Sequence, residues 1–251
     1  MIIVRKIQIP SLPTKKPRRL YVYLPKEYGK TDRRYPVLYM FDGHNVFYNS
    51  HATYGKSWGM KEYLEKTKMP LIVVGIECNP EDFKRLSEYS PWTFTRRGLP
   101  IIEGKGKETM DWITGTLKPE IDRTYRTLPD RENTMIAGSS MGGLMTIYAA
   151  VEYNAYFARA ASLSPSLWVN RKAMKELIAS HPLAQPTQIY MDYGSGEAEG
   201  HRFILGVAFE VAKYLTKAGA NVDMRVVPDA MHSEAYWEKR IPVFFDYLFN
   251  N

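Results

Sequence analysis

Seven short apolar runs, each bounded by turn residues, set the rhythm of the chain: RRLYVYLP (18–25), PVLYMFD (36–42), LIVVGIE (71–77), NTMIAGS (133–139), ARAASLS (158–164), TQIYMDYG (187–194) and VDMRVVP (222–228). Their length and their β-branched and aromatic content predict buried strands. Among the later runs lie segments of helical period at 107–125, 141–153, 171–180, 201–219 and 234–249. Pro242 falls inside the last of these, where it predicts a kink or a break. Strands alternating with helices predict βαβ units, hence an α/β fold with a mostly parallel central sheet flanked by helices. The first two runs have no helix between them and are expected to pair as an antiparallel hairpin at one edge. Residues 79–106 are polar and irregular, long enough for a functional loop over the carboxyl edge of the sheet. No repeat or linker divides the pattern, so a single domain over 1–251 is expected.

Composition changes this picture little. At 45% hydrophobic and 24% charged, the 251 residues can build an ordinary globular core. The net charge of +7 favours anionic ligands by its sign. The basic residues are spread out, however, and the densest run, Lys15 to Arg19, is broken by Pro17, so a nucleic-acid partner is not expected. The one cysteine, Cys78, allows neither an internal disulfide nor a zinc–cysteine cluster, and its apolar run predicts a small buried residue. No stretch is long enough to span a membrane and the N-terminus lacks a secretory pattern, so a cytoplasmic location without a membrane partner is the expectation.

The chemistry sits in AGSSMGG (137–143). Gly138-Ser139-Ser140-Met141-Gly142 fits G-x-S-x-G with Ser140 at the centre, between a strand and a helix, which is the context that motif requires. A sharp strand-to-helix turn projects the hydroxyl of Ser140 above the sheet, while the amide of Met141 at the helix start points at a developing oxyanion. Ser139 is expected to point elsewhere. The alternative role for Ser140 is that of a helix cap in a small-residue packing turn.

A nucleophilic serine needs a base, and the chain order for this fold is serine, acid, histidine. His44 and His51 precede the serine, His181 lies in a connection and His201 begins a helix. His232, in the turn after the last strand run, is where the base is expected. The acid falls in YGSGEAEG (193–200), after the run TQIYMD. A carboxylate there can fix the imidazole tautomer and stabilise the imidazolium. Glu197 is the first candidate, Asp192 the second and Glu199 the third. The loop after VLYMFD supplies the second oxyanion donor, expected to be the amide of His44 beside Gly43.

VLYMFDGHNVF, AGSSMGG, LSPSLW (163–168), YGSGEAE and MHSEAYW together resemble the putative-esterase family of α/β-hydrolases, and the likeness runs from about Arg18 to the C-terminus. That family is similar to enterobactin esterases, feruloyl and acetyl-xylan esterases, S-formylglutathione hydrolases and mycolyltransferases. The resemblance implies an α/β-hydrolase fold without a separate cap domain, Ser140 as nucleophile, His232 as base, Glu197 as acid, and the amides of His44 and Met141 as oxyanion hole. The mycolyltransferase acid lies further along the chain, and the S-formylglutathione hydrolases place an aspartate in this region, which keeps Asp192 in play. An open cleft is implied, bordered by the 79–106 loop, with Trp168, Trp92 and Tyr89 as candidates to line it.

Three functions follow. The leading one is a serine carboxylesterase needing no cofactor or metal, acting on carbohydrate-linked or small acyl esters. A siderophore trilactone, which the basic charge would suit, is an alternative substrate, and acyl transfer on the same triad is an alternative reaction. A non-catalytic binding protein on a hydrolase fold is the third, and retention of the serine, the histidine and the oxyanion-loop glycine argues against it.

Overall fold

A computed structural model of the chain describes residues 1–198 and 203–250. Its strands are β1 (Ile2–Ile7), β2 (Arg18–Tyr23), β3 (Val37–Phe41), β4 (Ile72–Ile76), β5 (Thr134–Ser139), β6 (Arg159–Leu163), β7 (Gln188–Gly194) and β8 (Asn221–Val227). They form one sheet in the order β1-β2-β4-β3-β5-β6-β7-β8. From β4 to β8 every neighbouring pair is parallel, while β2 is antiparallel to both β1 and β4. Flanked by helices, this is the mostly parallel α/β arrangement that the alternating pattern predicts and the α/β-hydrolase fold that the resemblance implies.

The helices are α1 (Met60–Thr67), α2 (Lys84–Glu88), α3 (Gly106–Trp112), α4 (Lys118–Thr124), α5 (Met141–Glu152), α6 (Arg171–Ser180), α7 (Phe203–Lys217) and α8 (Glu234–Asn250). Strand side chains alternate between two cores because successive residues point to opposite faces. Val37, Tyr39 and Phe41 join Ile136, Leu144, Met174 and Val211 on one face. Leu38, Met40, Met135 and Ala137 meet Leu64, Trp237, Ile241 and Phe244 on the other. Each fully buried Leu, Ile or Phe contributes about 1.5–3 kcal/mol, so this two-sided burial is what holds the sheet as a scaffold for the loops at its carboxyl edge. Among the described residues no helix is long and apolar enough to cross a membrane.

Several expectations are corrected. The run at 18–25 does not pair with the run at 36–42. β2 pairs instead with β1, a strand in the N-terminal MIIVRKI that the apolar-run criterion passes over, and with β4. β1 is an edge strand, alternately half-buried and exposed over much of its length, so it carries no continuous apolar run. Pro242 does not break α8, which runs through it. Trp237, Ile241, Phe244 and Phe245 bury both halves of that helix and outweigh the missing hydrogen bond. The segment expected as one helix over 107–125 is α3 and α4 joined by a π-helical turn, Ile113–Leu117. The 79–106 stretch contains α2.

Candidate active site

The site begins with a strained backbone. Ser140 caps the N-terminus of α5 at φ 57°, ψ −122°, a region that costs a non-glycine residue about 1–3 kcal/mol. Its neighbours hold it there: the Ser140 amide donates to Leu163 O at 3.0 Å, and its carbonyl accepts from Leu144 N at 3.0 Å and Ser166 N at 2.9 Å. The flanking glycines are required by space. A Cβ on Gly138 would lie 2.8 Å from Gly142 C, and one on Gly142 would lie 3.0 Å from Phe41 Cβ. Small residues thus let β5, α5 and the end of β3 close around one turn. Ser140 borders a cleft of about 820 Å³ together with His232. Ser139, the buried last residue of β5, borders it too.

β3 delivers the second wall. Asp42 turns left-handed (φ 55°, ψ 46°) and starts a single 3-10 turn, Gly43–Asn45. A Cβ on Gly43 would fall 2.3 Å from Gly75 C, so only glycine lets this turn rest on β4. The amides of His44 and Met141 both lie in first turns, where no intrahelical carbonyl reaches them. Asp42 is fixed by a fork of Arg85, Nε to Oδ1 at 2.8 Å and Nη2 to Oδ2 at 2.7 Å, and its amide donates to Tyr89 Oη at 3.0 Å. Burial alone would raise the Asp42 carboxyl, but Arg85 outweighs it and holds it below its ordinary value. Metal-ligand atoms of Asp42, His44 and Cys78 lie within 4.8 Å of one another. Arg85 already occupies both Asp42 oxygens, and its charge opposes a cation there. Burial pushes the Cys78 thiol well up, as befits a packing residue.

Across the cleft from the Asp42 turn stand His232 and its carboxylate. His232 Nδ1 lies 2.7 Å from Glu197 Oε2. The other oxygen, Oε1, accepts from Ser164 Oγ at 2.7 Å, Gly194 N at 2.9 Å and Arg240 Nη2 at 3.2 Å. Burial would raise the Glu197 carboxyl, but the bonds from His232, Ser164 and Gly194 prevail and hold it below its ordinary value. Trp237 packs edge-on against the His232 ring, centroids 5.0 Å apart, and donates Nε1 to Ser164 Oγ at 3.0 Å. Asp192 does not touch the histidine. It lies in β7, fully buried, with Oδ1 on Arg240 Nη1 at 2.7 Å and Oδ2 on Tyr190 Oη at 2.9 Å. Burial pushes its carboxyl up to about 6 against the pull of Arg240 and Tyr190. Glu199 and His201 lie outside the described residues.

Ser140, His232 and His44 therefore border one cleft, and Glu197 backs it. The three aromatic candidates do not line it. Tyr89 is buried beneath the Asp42 turn, Trp92 packs edge-on against Tyr148, and Trp168 packs against Phe94 under the Arg96 guanidinium. Trp237 and Tyr54 line it instead, with Asn79, Pro80, Asp82 and Arg85 from the 79–106 stretch. Arg240, Ser164, Arg85 and Glu234 escaped the sequence reading. Arg240 had a signal: it stands three residues after Trp237 and four before Phe244, a charge on an apolar helix face.

Fold and site together define an ester hydrolase of α/β-hydrolase architecture. Residues 11–247 match the family described as "Putative esterase", and the chain belongs to that family. It is 27% identical over 243 residues to the "Uncharacterized protein YbbA" of Bacillus subtilis (strain 168), covering 92% of each chain. It is 32% identical over 149 residues to an "Endo-1,4-beta-xylanase/feruloyl esterase" of Xylanibacter ruminicola, a match that covers 57% of this chain and 19% of that larger protein. Among solved structures, an IroE-like serine hydrolase from Shewanella oneidensis superposes with a TM-score of 0.77 at 21% identity, over 99% of this chain and 79% of that one.

Proposed function

We propose that the protein is a serine carboxylic-ester hydrolase working through an acyl-enzyme, with Ser140, His232 and Glu197 as its triad and carbohydrate-linked or small acyl esters as its substrates. The observation that carries this reading is the 2.7 Å contact of His232 Nδ1 with Glu197 Oε2, at the edge of the cleft into which the strained Ser140 turn opens. With Nδ1 bonded to the carboxylate, Nε2 is the nitrogen left to serve the serine. Ser140 Oγ attacks the ester carbonyl while Nε2 takes its proton, and the amides of His44 and Met141 receive the oxyanion. Collapse expels the alcohol, which leaves with the proton from Nε2. Water, deprotonated by the same nitrogen, attacks the acyl-enzyme, and the acid and Ser140 are released. Glu197 fixes the tautomer and balances the imidazolium throughout. The feruloyl-esterase name of the partial relative supports an ester on a carbohydrate.

The direct test is labelling by a fluorophosphonate followed by peptide mapping, alongside turnover of 4-nitrophenyl acetate. Modification at Ser140, lost on prior acylation, is the expected result. Labelling at Ser139 or at neither serine would sink the assignment.

A further inference from the structure

The chain carries +7 overall, yet its cleft does not share that sign. Apart from the histidines, the acidic and basic side chains that carry charge along it are Asp42, Asp82 and Glu234 against Lys56 and Arg85. Both cations are committed. Arg85 spends Nε and Nη2 on Asp42, and Lys56 pairs with Glu238. An anionic ligand therefore finds no unengaged Lys or Arg among the described lining residues.

Glu234 is in the opposite condition. It opens α8 two residues after His232, is only 6% exposed, and borders the cleft. Its Oε1 accepts from Asn45 Nδ2 at 3.0 Å. No Lys or Arg among the described residues forms an ion pair with it, and Arg85, though near enough to be felt, directs its fork at Asp42. Asn45 is itself fixed, its Oδ1 accepting from Thr53 N at 2.9 Å and its carbonyl from Trp58 N at 2.8 Å. A carboxylate buried against neutral donors, the Asn45 amide and its own backbone N–H, without a paired cation, bears a desolvation cost that a substrate's hydrogen-bond donor relieves. Burial accordingly raises the Glu234 carboxyl above its ordinary value. At the rim Tyr54, 83% exposed, offers a ring to the same space.

We propose that Glu234, set by Asn45, makes this cleft select esters whose non-reacting part is uncharged and bears hydroxyls, one of which donates to Glu234, and reject esters carrying an anionic group there. The proposal rests on the serine-esterase reading of the same site. A charge facing another across a few ångströms of partly solvated cleft changes binding by about tenfold to a hundredfold.

Two matched pairs test it. Methyl 4-acetoxybenzoate and 4-acetoxybenzoate differ in one negative charge, and methyl 6-O-acetyl-glucoside and its 2,3,4-tri-O-methyl ether differ in their free hydroxyls. Each kcat/KM is divided by the rate of hydroxide hydrolysis of the same ester, so that intrinsic reactivity cancels. The wild type is expected to prefer the neutral benzoate and the glucoside with free hydroxyls, each by about tenfold or more, and high salt should narrow the first preference. Glu234→Gln should bring both ratios below about threefold, whereas Glu234→Asp, which keeps the charge, should retain the discrimination against the anion. Equal or better turnover of the anionic ester by the wild type overturns the proposal, and so do ratios unchanged in Glu234→Gln. Absence of both 4-nitrophenyl acetate turnover and Ser140 labelling in the wild type is a different failure: it removes the esterase reading beneath.

Discussion

Two buried aspartates, each held by an arginine, stand on either side of the Ser140 turn with β5 and β6 between the strands that carry them. Asp42, after β3, has Arg85 to itself and is held at low pKa. Asp192, within β7, shares Arg240 with Glu197, and its carboxyl rises to about 6. One guanidinium per carboxylate makes a closed pair, and its work is geometric: it fixes the backbone turn that carries Gly43 and His44. One guanidinium for two carboxylates leaves a negative charge over. That charge sits on Glu197, the carboxylate with the more donors, and it is directed at His232. The β3 side of the cleft is thus built of backbone and space, the β7 side of charge.

The largest expected effect ignores that contrast and sets the scale for it. Ser140→Ala should lower kcat by roughly 10⁴–10⁶ while both aspartate pairs and the fold stay intact, as measured by turnover and by circular dichroism. On the charged side, Glu197→Gln should lower kcat by about 10²–10⁴ with little change in Tm, because an amide keeps the shape and loses the charge. A variant as active as the wild type would mean that the histidine is oriented by something else.

On the backbone side, Gly43→Ala should cost about 10²–10³ in kcat and also lower Tm, since its Cβ would meet Gly75 C at 2.3 Å. Loss of activity without loss of stability would contradict a turn built on close packing. Together the last two separate the walls: one fails in charge with stability kept, the other in both.

The smallest effect is that of Asp192→Asn, expected to change kcat by less than about tenfold because Asp192 does not touch His232. Its signature lies in stability against pH. The folded value near 6 exceeds the ordinary 3.8, so the folded state keeps the proton longer than the unfolded chain does. The contribution of this group is full below about pH 3.8 and is lost as pH rises towards 6. Asp192→Asn should remove that decline, seen as a difference in Tm between the two proteins that changes across this window and is flat above it. A folded but inactive Asp192→Asn, beside an active Glu197→Gln, would move the acid to the strand end.

Much of this could be read along the chain because it is local. β2 to β8 lie within a residue or two of their apolar runs, and the Ser140 turn follows from glycines spaced around a serine between strand and helix. β1 needed period-two alternation rather than a run, and the false hairpin came from treating chain neighbours as sheet neighbours. In the parallel sheet β3 is flanked by β4 and β5, which leaves β2 to the far side of β4. Pro242 follows the same lesson, since a helix buried on both sides of a proline survives it.

The sequence by itself determined the fold class, the strained Ser140 turn and the stretches that hold His232 and Glu197, because periodicity and turn chemistry act over a few residues. Only the tertiary structure decided what depends on distance across the chain. It set Glu197 rather than Asp192 against His232, gave Arg240 to both carboxylates from 43 and 48 residues away, and paired Asp42 with Arg85. It also replaced Trp168, Trp92 and Tyr89 by Trp237 and Tyr54 along the cleft. Which buried charge meets which is fixed by where α2, packed on α3, and α8, packed on β6 and β7, come to lie. Desolvation then makes every such pairing count, and no local pattern in the chain records it.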